Sequence, residues 1–418
     1  MRIGFWKEDI TPPVGVELGG YAGYRPCTGV HDPLWCRAVV LEQHGVRYAL
    51  LVLDLMCADE TFCNRLAEVL APLEIRREHL IVSAIHSHSA PCGVVPGEGL
   101  MAAISLPGYP GDASYLPYLE AVLQGAYSAC EKAVALLEPF VFRCGSCPAP
   151  MVGSERHTGA HPQVTLTAIQ CRTDSGRNLI LYHFPCHPTV MGPSNLEVTA
   201  DFAGGIEWQL DSDMAVFLNG AAGDISTRYT RTGQTFEECA RLGHMAAAQI
   251  ATVLRDAQFQ VPTHLQGINS SFAMAVRPVE PVAEAAQRLE ELTAKVKQAE
   301  AEGADAATIR MLKSYAEGAG INLQFARSIG NLHQIILSVT VLRIFGLKFV
   351  TIPGELFSTL LPDDSTCVLG YANGYNLYIA DEQAYDAGYY EALASLFAKG
   401  EGERLMDHVK LLLRQLDE

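Results

Sequence analysis

Short apolar runs and helical periodicity alternate along the first third of the chain. Val/Leu-rich runs at 37–42 and 47–55 are separated by His44-Gly45, which predicts a pair of strands. Helical spacing follows at 60–70, and the next apolar run ends at Ile85. A strand, a helix and a strand in this order predict a βαβ unit with a right-handed crossover and parallel strands.

The same alternation continues to the end of the chain. Residues 1–35 and 93–113 are rich in Gly and Pro, which predicts an irregular N-terminal wrap and a long loop. The remaining predicted strands cover 164–171, 178–184, 214–218, 334–345 and 348–352, and the remaining helices cover 115–137, 236–254, 389–397 and 403–416. No repeat or linker interrupts them. The prediction is a single α/β domain over residues 1–418, with mixed, largely buried β-sheets flanked by helices.

Residues 281–325 differ from the rest in composition. They are dense in Ala, Glu, Lys and Gln, and Glu302-Gly-Ala304 breaks the helical pattern. This predicts an antiparallel helical hairpin that projects from the body. The charge pattern favours a solvated insertion or a contact in a homo-oligomer over a catalytic role.

Composition and charge exclude several classes of protein. Of the 418 residues 49% are hydrophobic and 18% charged, and the net charge is −17. Such a chain is expected to fold, to repel nucleic acid and to avoid anionic membrane surfaces. The first residues lack the apolar core of a secretion signal, and the most apolar runs are too short to span a bilayer. We therefore expect a cytoplasmic protein without a stable membrane anchor.

The cysteines predict reduced thiols. Twelve are present in a long chain without an evident leader, which disfavours a disulfide framework. The pair Cys144-Gly-Ser-Cys147 has no second CxxC and no paired His spacing, so a zinc knuckle is disfavoured.

Two histidine pairs follow predicted strands. His86-Ser-His88 places two imidazoles on one face at a strand end, and His183 and His187 flank the end of another strand. Neutral imidazole is a preferred ligand of zinc, and catalytic zinc sites take about three protein ligands and a water. Spacing alone leaves a shared metal site and ordinary buried histidines as alternatives. The isolated histidines are expected to be core or surface residues: His44, His79, His264 and His408.

Three further segments offer chemistry. The Gly-rich stretch from Asn219 to Ser226 lacks the spacing of a nucleotide loop. Its backbone N–H groups could approach a substrate, or it could be a surface turn with Asp224 as a cap. Glu355 ends a strand in Thr-Ile-Pro-Gly-Glu. One segment is rich in tyrosines, whose phenols could pack, cap, ligate zinc or donate to an oxyanion: Tyr375, Tyr378, Tyr385, Tyr389 and Tyr390.

Taken together, motifs over nearly the whole chain resemble the neutral/alkaline ceramidases, in that family's order. They are Thr11-Pro-Pro13, Gly29-Val-His-Asp-Pro-Leu34, Ser83-Ala-Ile-His-Ser-His-Ser-Ala-Pro91, Cys186-His-Pro-Thr189, Ala200-Asp201, Asn219-Gly-Ala-Ala-Gly-Asp-Ile-Ser226, Pro353-Gly-Glu355, Asn373-Gly-Tyr-Asn-Leu-Tyr378, Tyr385 and Tyr390-Glu391. The resemblance implies an amidase with one zinc ion, acting on a small-molecule N-acyl substrate. It implies four zinc ligands: His86, His187, Glu355 and Tyr378.

The resemblance also implies the remaining site residues. His88 and Tyr390 match residues that line the family's site and suit oxyanion stabilisation or proton transfer. Ser226 matches the family's essential serine, which could orient the substrate or attack it; a zinc-activated water needs one step fewer and is favoured. Arg156 is a poor match to the family's arginine. The loop of Gly223, Asp224 and Arg228 is expected to contact the substrate.

Departures from the family pattern separate the reaction from the substrate. Thr227-Arg228 replaces Pro-Asn, with Arg231 nearby, which favours an anionic or polar head group. No C-terminal immunoglobulin-like domain is expected, and the acidic charge disfavours long-chain ceramide. The only candidate lipid-facing lid is the loop with Met101, Ile104 and Leu106, which could equally pack. The prediction is hydrolysis of a ceramide-like or smaller N-acyl compound. The alternatives are a zinc esterase or lactonase and a non-catalytic metal-binding scaffold.

Overall fold

A computed structural model describes residues 1–104, 113–149, 151–162, 164–263, 265–363 and 365–418. Leu106 and His264 lie outside them. The strands are β1 (Arg2–Asp9), β2 (Gly29–Val30), β3 (Trp35–Gln43), β4 (Val46–Leu53), β5 (Leu80–Ala84), β6 (Glu138–Pro148), β7 (Ser154–Glu155), β8 (Thr165–Thr173), β9 (Asn178–Phe184), β10 (Glu197–Val198), β11 (Met214–Asn219), β12 (Ile225–Ser226), β13 (Gln266–Ala275), β14 (Gln334–Ile344), β15 (Leu347–Thr351), β16 (Glu355–Leu356), β17 (Thr366–Leu369) and β18 (Tyr378–Ile379). The helices are α1 (Glu60–Leu70), α2 (Gly99–Ile104), α3 (Leu116–Ala135), α4 (Phe202–Glu207), α5 (Phe236–Asp256), α6 (Val282–Ala301), α7 (Ala306–Ser328), α8 (Glu382–Ala387), α9 (Tyr390–Leu393) and α10 (Glu401–Gln415).

The larger sheet has eight strands in the order β11-β9-β8-β6-β1-β3-β4-β5. The predicted α/β class with mixed sheets is confirmed, and β4 and β5 are parallel and joined through α1, as the βαβ pattern predicts. Asp59 caps α1, because its side chain accepts from the Phe62 N–H. The Asn219 side chain at the end of β11 donates to the Ile85 carbonyl beyond β5 at 3.1 Å. The ends of the two edge strands are therefore held together.

The irregular N-terminal wrap is a wrong prediction for the first residues. β1 pairs antiparallel with β3 along its whole length, and Ile3 and Phe5 are fully buried. Gly4 lies between them because a Cβ there would be 1.9 Å from the Ala133 carbonyl oxygen of α3. The glycine marks a close approach of helix and strand and not a break in the strand.

A second sheet of four strands, in the order β13-β14-β15-β17, packs against α10. The sequence predicted β14 and β15 but missed β6, β13 and β17. β13 was missed because its faces are mostly polar and exposed up to the buried Met274. The helix predicted over 389–397 is shorter than expected, since only Tyr390–Leu393 is helical.

The predicted helical hairpin is present as α6 and α7, which pack against each other. α6 is largely exposed and fits the prediction of a solvated insertion. α7 does not fit it, because Phe325 is fully buried and Gly318 lies so close to α9 that a Cβ would be 3.2 Å from Leu393 Cβ. Met101 and Ile104 are buried in α2, so they pack and do not form an exposed lid.

Among the helices of the described residues, none is both long and apolar enough to cross a membrane.

Candidate metal centre

Two imidazoles at separate strand ends are oriented by backbone carbonyls. His86 follows β5 with a left-handed backbone (φ 70°), and its Nδ1 is 2.7 Å from the Met56 carbonyl oxygen. His187 follows β9, and its Nδ1 is 2.6 Å from the Ala222 carbonyl oxygen. A ring nitrogen facing a carbonyl must carry the proton, so each Nε2 presents a lone pair. Such carbonyl partners are typical of histidines that bind metals.

These lone pairs meet a carboxylate in a buried space. Glu355 Oε2 is 2.8 Å from His187 Nε2 and 3.5 Å from His86 Nε2, and all three side chains are at most 3% exposed. His88 Nε2 is 3.3 Å from His86 Nε2. The three imidazoles offer nitrogens within 4.8 Å of one another. His187 Nε2 and Glu355 Oε2 have no hydrogen-bond partner among the described residues. The lone pairs of these nitrogens and of the carboxylate oxygen repel one another when no proton lies between them. A cation among them would remove that repulsion. Imidazole nitrogens and carboxylate oxygens are ligands that zinc accepts.

Burial sets the charge states of this cluster. It lowers the pKa of His187 to about 4, and it lowers the pKa of His88 well below its usual range. Neutral imidazoles and an ionised carboxylate are the forms that ligate metals.

Two tyrosines that the sequence did not assign surround this cluster. Tyr375 donates its hydroxyl to Glu355 Oε1 at 2.5 Å, which leaves Oε2 facing the imidazoles. Tyr371 stacks on the His86 ring, with centroids 4.1 Å apart. Tyr375 belongs to the tyrosine-rich segment noted in the sequence, whereas no sequence signal indicated Tyr371.

Arg156 is brought beside Tyr378. Tyr378 lies opposite Glu355 in the short β16–β18 pair, and its hydroxyl accepts from the Arg156 guanidinium at 3.1 Å. The same guanidinium nitrogen contacts Glu391 Oε1 at 3.2 Å, and Glu391 Oε2 is 3.1 Å from His157 Nε2. Burial, and then the Glu355 charge, raise the pKa of Tyr378 well above its usual value, so it is a neutral phenol. The sequence assigned no role to Glu391 or His157.

The other predicted residues have different surroundings. Ser226 is buried, pairs through its backbone with His187, and accepts the Arg228 N–H at 3.4 Å. Gly223 approaches the strand of Glu355 so closely that a Cβ would be 2.6 Å from the Glu355 carbonyl oxygen. Asp224 is buried and accepts from the Ser358 N–H and hydroxyl at 2.7 Å, so it joins two distant segments and is not the cap of an exposed turn. Its contact with substrate stays a prediction.

A cavity of about 380 Å³ opens beside the cluster. Its polar lining includes His88, Glu355, Tyr378 and Tyr390, and the rings of Tyr378 and Tyr390 are 5.9 Å apart. One wall comes from the hairpin: Leu289, Glu317, Gly320, Ile321, Leu323, Gln324 and Arg327. The insertion therefore shapes the candidate site.

Residues 1–149 match the family described as neutral/alkaline non-lysosomal ceramidase, N-terminal. The resemblance to this family that the motifs indicated is thereby confirmed over these residues. A crystal structure of neutral ceramidase from Pseudomonas aeruginosa shares the fold with TM-score 0.73 and 18% identity over 98% of this chain and 73% of that one. A structure titled ceramidase complexed with C2 also gives TM-score 0.73 and 18% identity, over 99% of this chain and 75% of that one. No curated protein matches the chain significantly.

Within this N-terminal part, the loop that contains Gly20 and Gly23 packs against His88. Gly20 has φ +86°, and a Cβ there would be 2.5 Å from His88 Nδ1. Tyr21 contacts the same ring edge-on, with centroids 4.8 Å apart. The loop therefore determines where the His88 ring lies.

We expect Gly20→Ala to displace His88 and to lower kcat/KM by up to about a hundredfold, since small misplacements of catalytic groups cost that much. The control is Gly23→Ala, because Gly23 has φ +95° and nothing within 4 Å of its Cβ position. Both variants carry the strain of a side chain at positive φ, about 1–2 kcal/mol, and Gly20→Ala adds the cost of moving His88, so activity is compared at a temperature where both are folded. Equal activity of the two variants would show that the loop does not position His88.

Proposed function

We propose that the protein is a zinc-dependent amidohydrolase that cleaves the amide bond of an N-acylated substrate in this cavity. The observation that carries the proposal is the convergence of His86 Nε2, His187 Nε2 and Glu355 Oε2, of which the last two have no hydrogen-bond partner among the described residues. These three groups would hold the ion, with Tyr378 beside them. When bound, zinc supplies Lewis acidity towards the amide carbonyl and lowers the pKa of a bound water to about 7.

The side chains around this position can stabilise developing negative charge and transfer protons. Tyr390 and Tyr378 are neutral phenols that can donate hydrogen bonds to an oxygen on which negative charge develops. His88 is neutral and lines the cavity, so it can accept a proton from the nucleophile and return it to the leaving amine. Arg156 holds the Tyr378 hydroxyl in place.

Ser226 is better suited to positioning than to attack. Its Oγ accepts a backbone N–H, and no base among the described residues accepts a hydrogen bond from it. A serine nucleophile needs an adjacent base within hydrogen-bond reach. We infer that Ser226 orients the substrate beside His187.

The cavity favours a modest substrate. A volume of about 380 Å³ lies at the small end of the range of about 300–1,000 Å³ for small-molecule sites. Met56, Ile321 and Leu377 provide apolar wall for a short acyl chain. We therefore propose a compact N-acyl compound in preference to a lipid with two long chains.

Metal removal tests the reaction. We expect a chelator to withdraw about one zinc ion per chain, to abolish amide hydrolysis and to lower the unfolding temperature, because the ion binds only the folded cluster. Added zinc should restore the bound ion, amide hydrolysis and the unfolding temperature, whereas magnesium, which prefers oxygen ligands, should not. Metal analysis, release of the free amine from short N-acyl compounds and a thermal scan provide the readouts. Full hydrolysis by metal-free protein, or hydrolysis of matched esters but of no amide, would contradict the proposal.

A further inference from the structure

Two half-buried arginines beside the site have no carboxylate partner. Arg228 directs its guanidinium to the Arg156 carbonyl oxygen at 3.4 Å, and Arg231 directs its own to the carbonyl of Thr189. Within the described ranges, neither forms an ion pair with Asp or Glu. Arg310 of α7 adds a third positive charge that acts electrostatically on both.

The other buried arginines with charged partners show the contrast. Arg37 is fully inside and contacts Asp54 at 2.5 Å as well as Glu207, and Arg156 has Glu391. The chain has 47 acidic and 30 basic residues, so carboxylates are plentiful. Desolvation lowers the pKa of Arg228 and of Arg231, and the nearby arginines lower both further. Arg25 shows that backbone carbonyls can satisfy a buried arginine, since four of them accept from its guanidinium. The Arg228 guanidinium has one carbonyl acceptor, at 3.4 Å, so a bound anion would offset the cost of its desolvation.

The arginines do not line the cavity of the metal centre themselves, but they lie next to residues that build it. The Arg228 N–H donates to Ser226 Oγ, and Arg228 touches Arg156, which contacts the Tyr378 hydroxyl. Arg231 donates to the Thr189 carbonyl, two residues from the Met191 carbonyl that accepts from the Tyr21 hydroxyl at 2.9 Å, and Tyr21 lines the cavity. Arg310 belongs to α7, whose later residues form one cavity wall.

Nearby carboxylates do not neutralise this group. Asp201 acts on Arg231, but its oxygens accept three backbone N–H groups. Glu391 acts on Arg228 and is held by Arg156 and His157. Glu317 lines the cavity, where its charge acts on Tyr390 and is opposed by that of Lys313.

We propose that the amine part of the substrate carries an anionic group, a carboxylate or a phosphate, which binds to Arg228, Arg231 and Arg310. This rests on the proposed amide hydrolysis and specifies its substrate class. Guanidinium groups match both anions through paired hydrogen bonds. The acyl chain then lies along the apolar wall, and the acidic head group lies at the arginines.

The test compares amides that share one short acyl chain and differ in the amine part, which ends in a carboxylate, a phosphate ester or a neutral hydroxyl. For the zinc-loaded full chain, we expect kcat/KM for at least one anionic amide to exceed that for the neutral amide about tenfold. Arg228→Gln should remove most of that preference. Arg310→Gln removes an exposed residue and should reduce the preference about threefold. The control is Arg288→Gln, which removes an exposed hairpin arginine paired with Glu280. Whichever anion is preferred identifies the head group.

Binding separates this inference from the reaction. Ketone isosteres of the three amides cannot be hydrolysed, and calorimetry should show tighter binding of the anionic ones, lost in Arg228→Gln and kept in Arg288→Gln. Equal or tighter binding of the neutral isostere, or an anion preference unchanged in Arg228→Gln and Arg310→Gln, overturns the inference. Arginine-dependent anion binding without hydrolysis of any amide would instead leave the anion site standing and refute the proposed function.

Discussion

His187→Ala is expected to lose the bound zinc and to lower kcat/KM for amide hydrolysis by more than about a hundredfold. Loss of a partner that merely orients a metal ligand already costs about 10–100-fold, and a ligand contributes more. In the folded chain His187 Nε2 is 2.8 Å from Glu355 Oε2, so removing it also leaves the carboxylate without its nearest imidazole. Metal analysis of the purified variant and steady-state kinetics with a short N-acyl substrate give the two measurements.

His183→Ala is the matched control for His187→Ala. His183 is also buried, lies four residues away, and donates from Nε2 to the Val368 carbonyl oxygen at 2.8 Å, away from the cluster. Its loss should cost stability through an unsatisfied carbonyl, about 1–3 kcal/mol, with zinc content unchanged. If His187→Ala retained zinc as His183→Ala does, the ligand set would be wrong.

Arg156→Met is expected to have the largest effect on stability. Glu391 is 2% exposed and would lose its arginine while keeping His157, and removing one member of a buried ion pair costs about 3–5 kcal/mol. Activity should fall by about 10–100-fold, because the Tyr378 hydroxyl loses the group that holds it. Urea denaturation and kcat/KM at a temperature where the variant is folded measure the two effects.

The double variant Arg156→Met with Glu391→Leu separates these effects. Replacing a buried ion pair by apolar side chains of similar size is often neutral, so stability should return towards that of the wild type. Activity should stay low, because Tyr378 remains unsupported. Recovery of both properties would mean that Arg156 serves stability alone.

Much of the fold could be predicted because it rests on local patterns. The alternation in β3 and β4 and the helical spacing of α1 predicted the parallel β4–β5 pair, and the Ala/Glu-rich stretch predicted the hairpin. β1 and β13 were missed for opposite local reasons. In β1, Gly4 interrupts the apolar pattern of a buried strand, because helix α3 packs too close for a side chain there. β13 lacks an apolar face for most of its length.

The candidate site was predicted from its motifs only up to a point. The two histidine segments, Pro353-Gly-Glu355 and the tyrosine-rich segment do converge on one cavity. Asp224 illustrates the limit, since its motif suggested a substrate contact or a local cap, whereas in the folded chain it binds Ser358 of a distant segment. The zinc ligand set, including the position of Tyr378 and the exclusion of His88, stays a prediction.

The sequence by itself determined the α/β class, the order of most strands and helices, and which residue types could bind a metal, because each depends on neighbours in the chain. Only the tertiary structure decided which ring nitrogens face Glu355, that α7 forms a wall of the cavity, and that Arg156 supports Tyr378. These facts depend on distances between residues 30 or more positions apart, such as His86 and Met56. Packing sets such distances, and no local pattern records them.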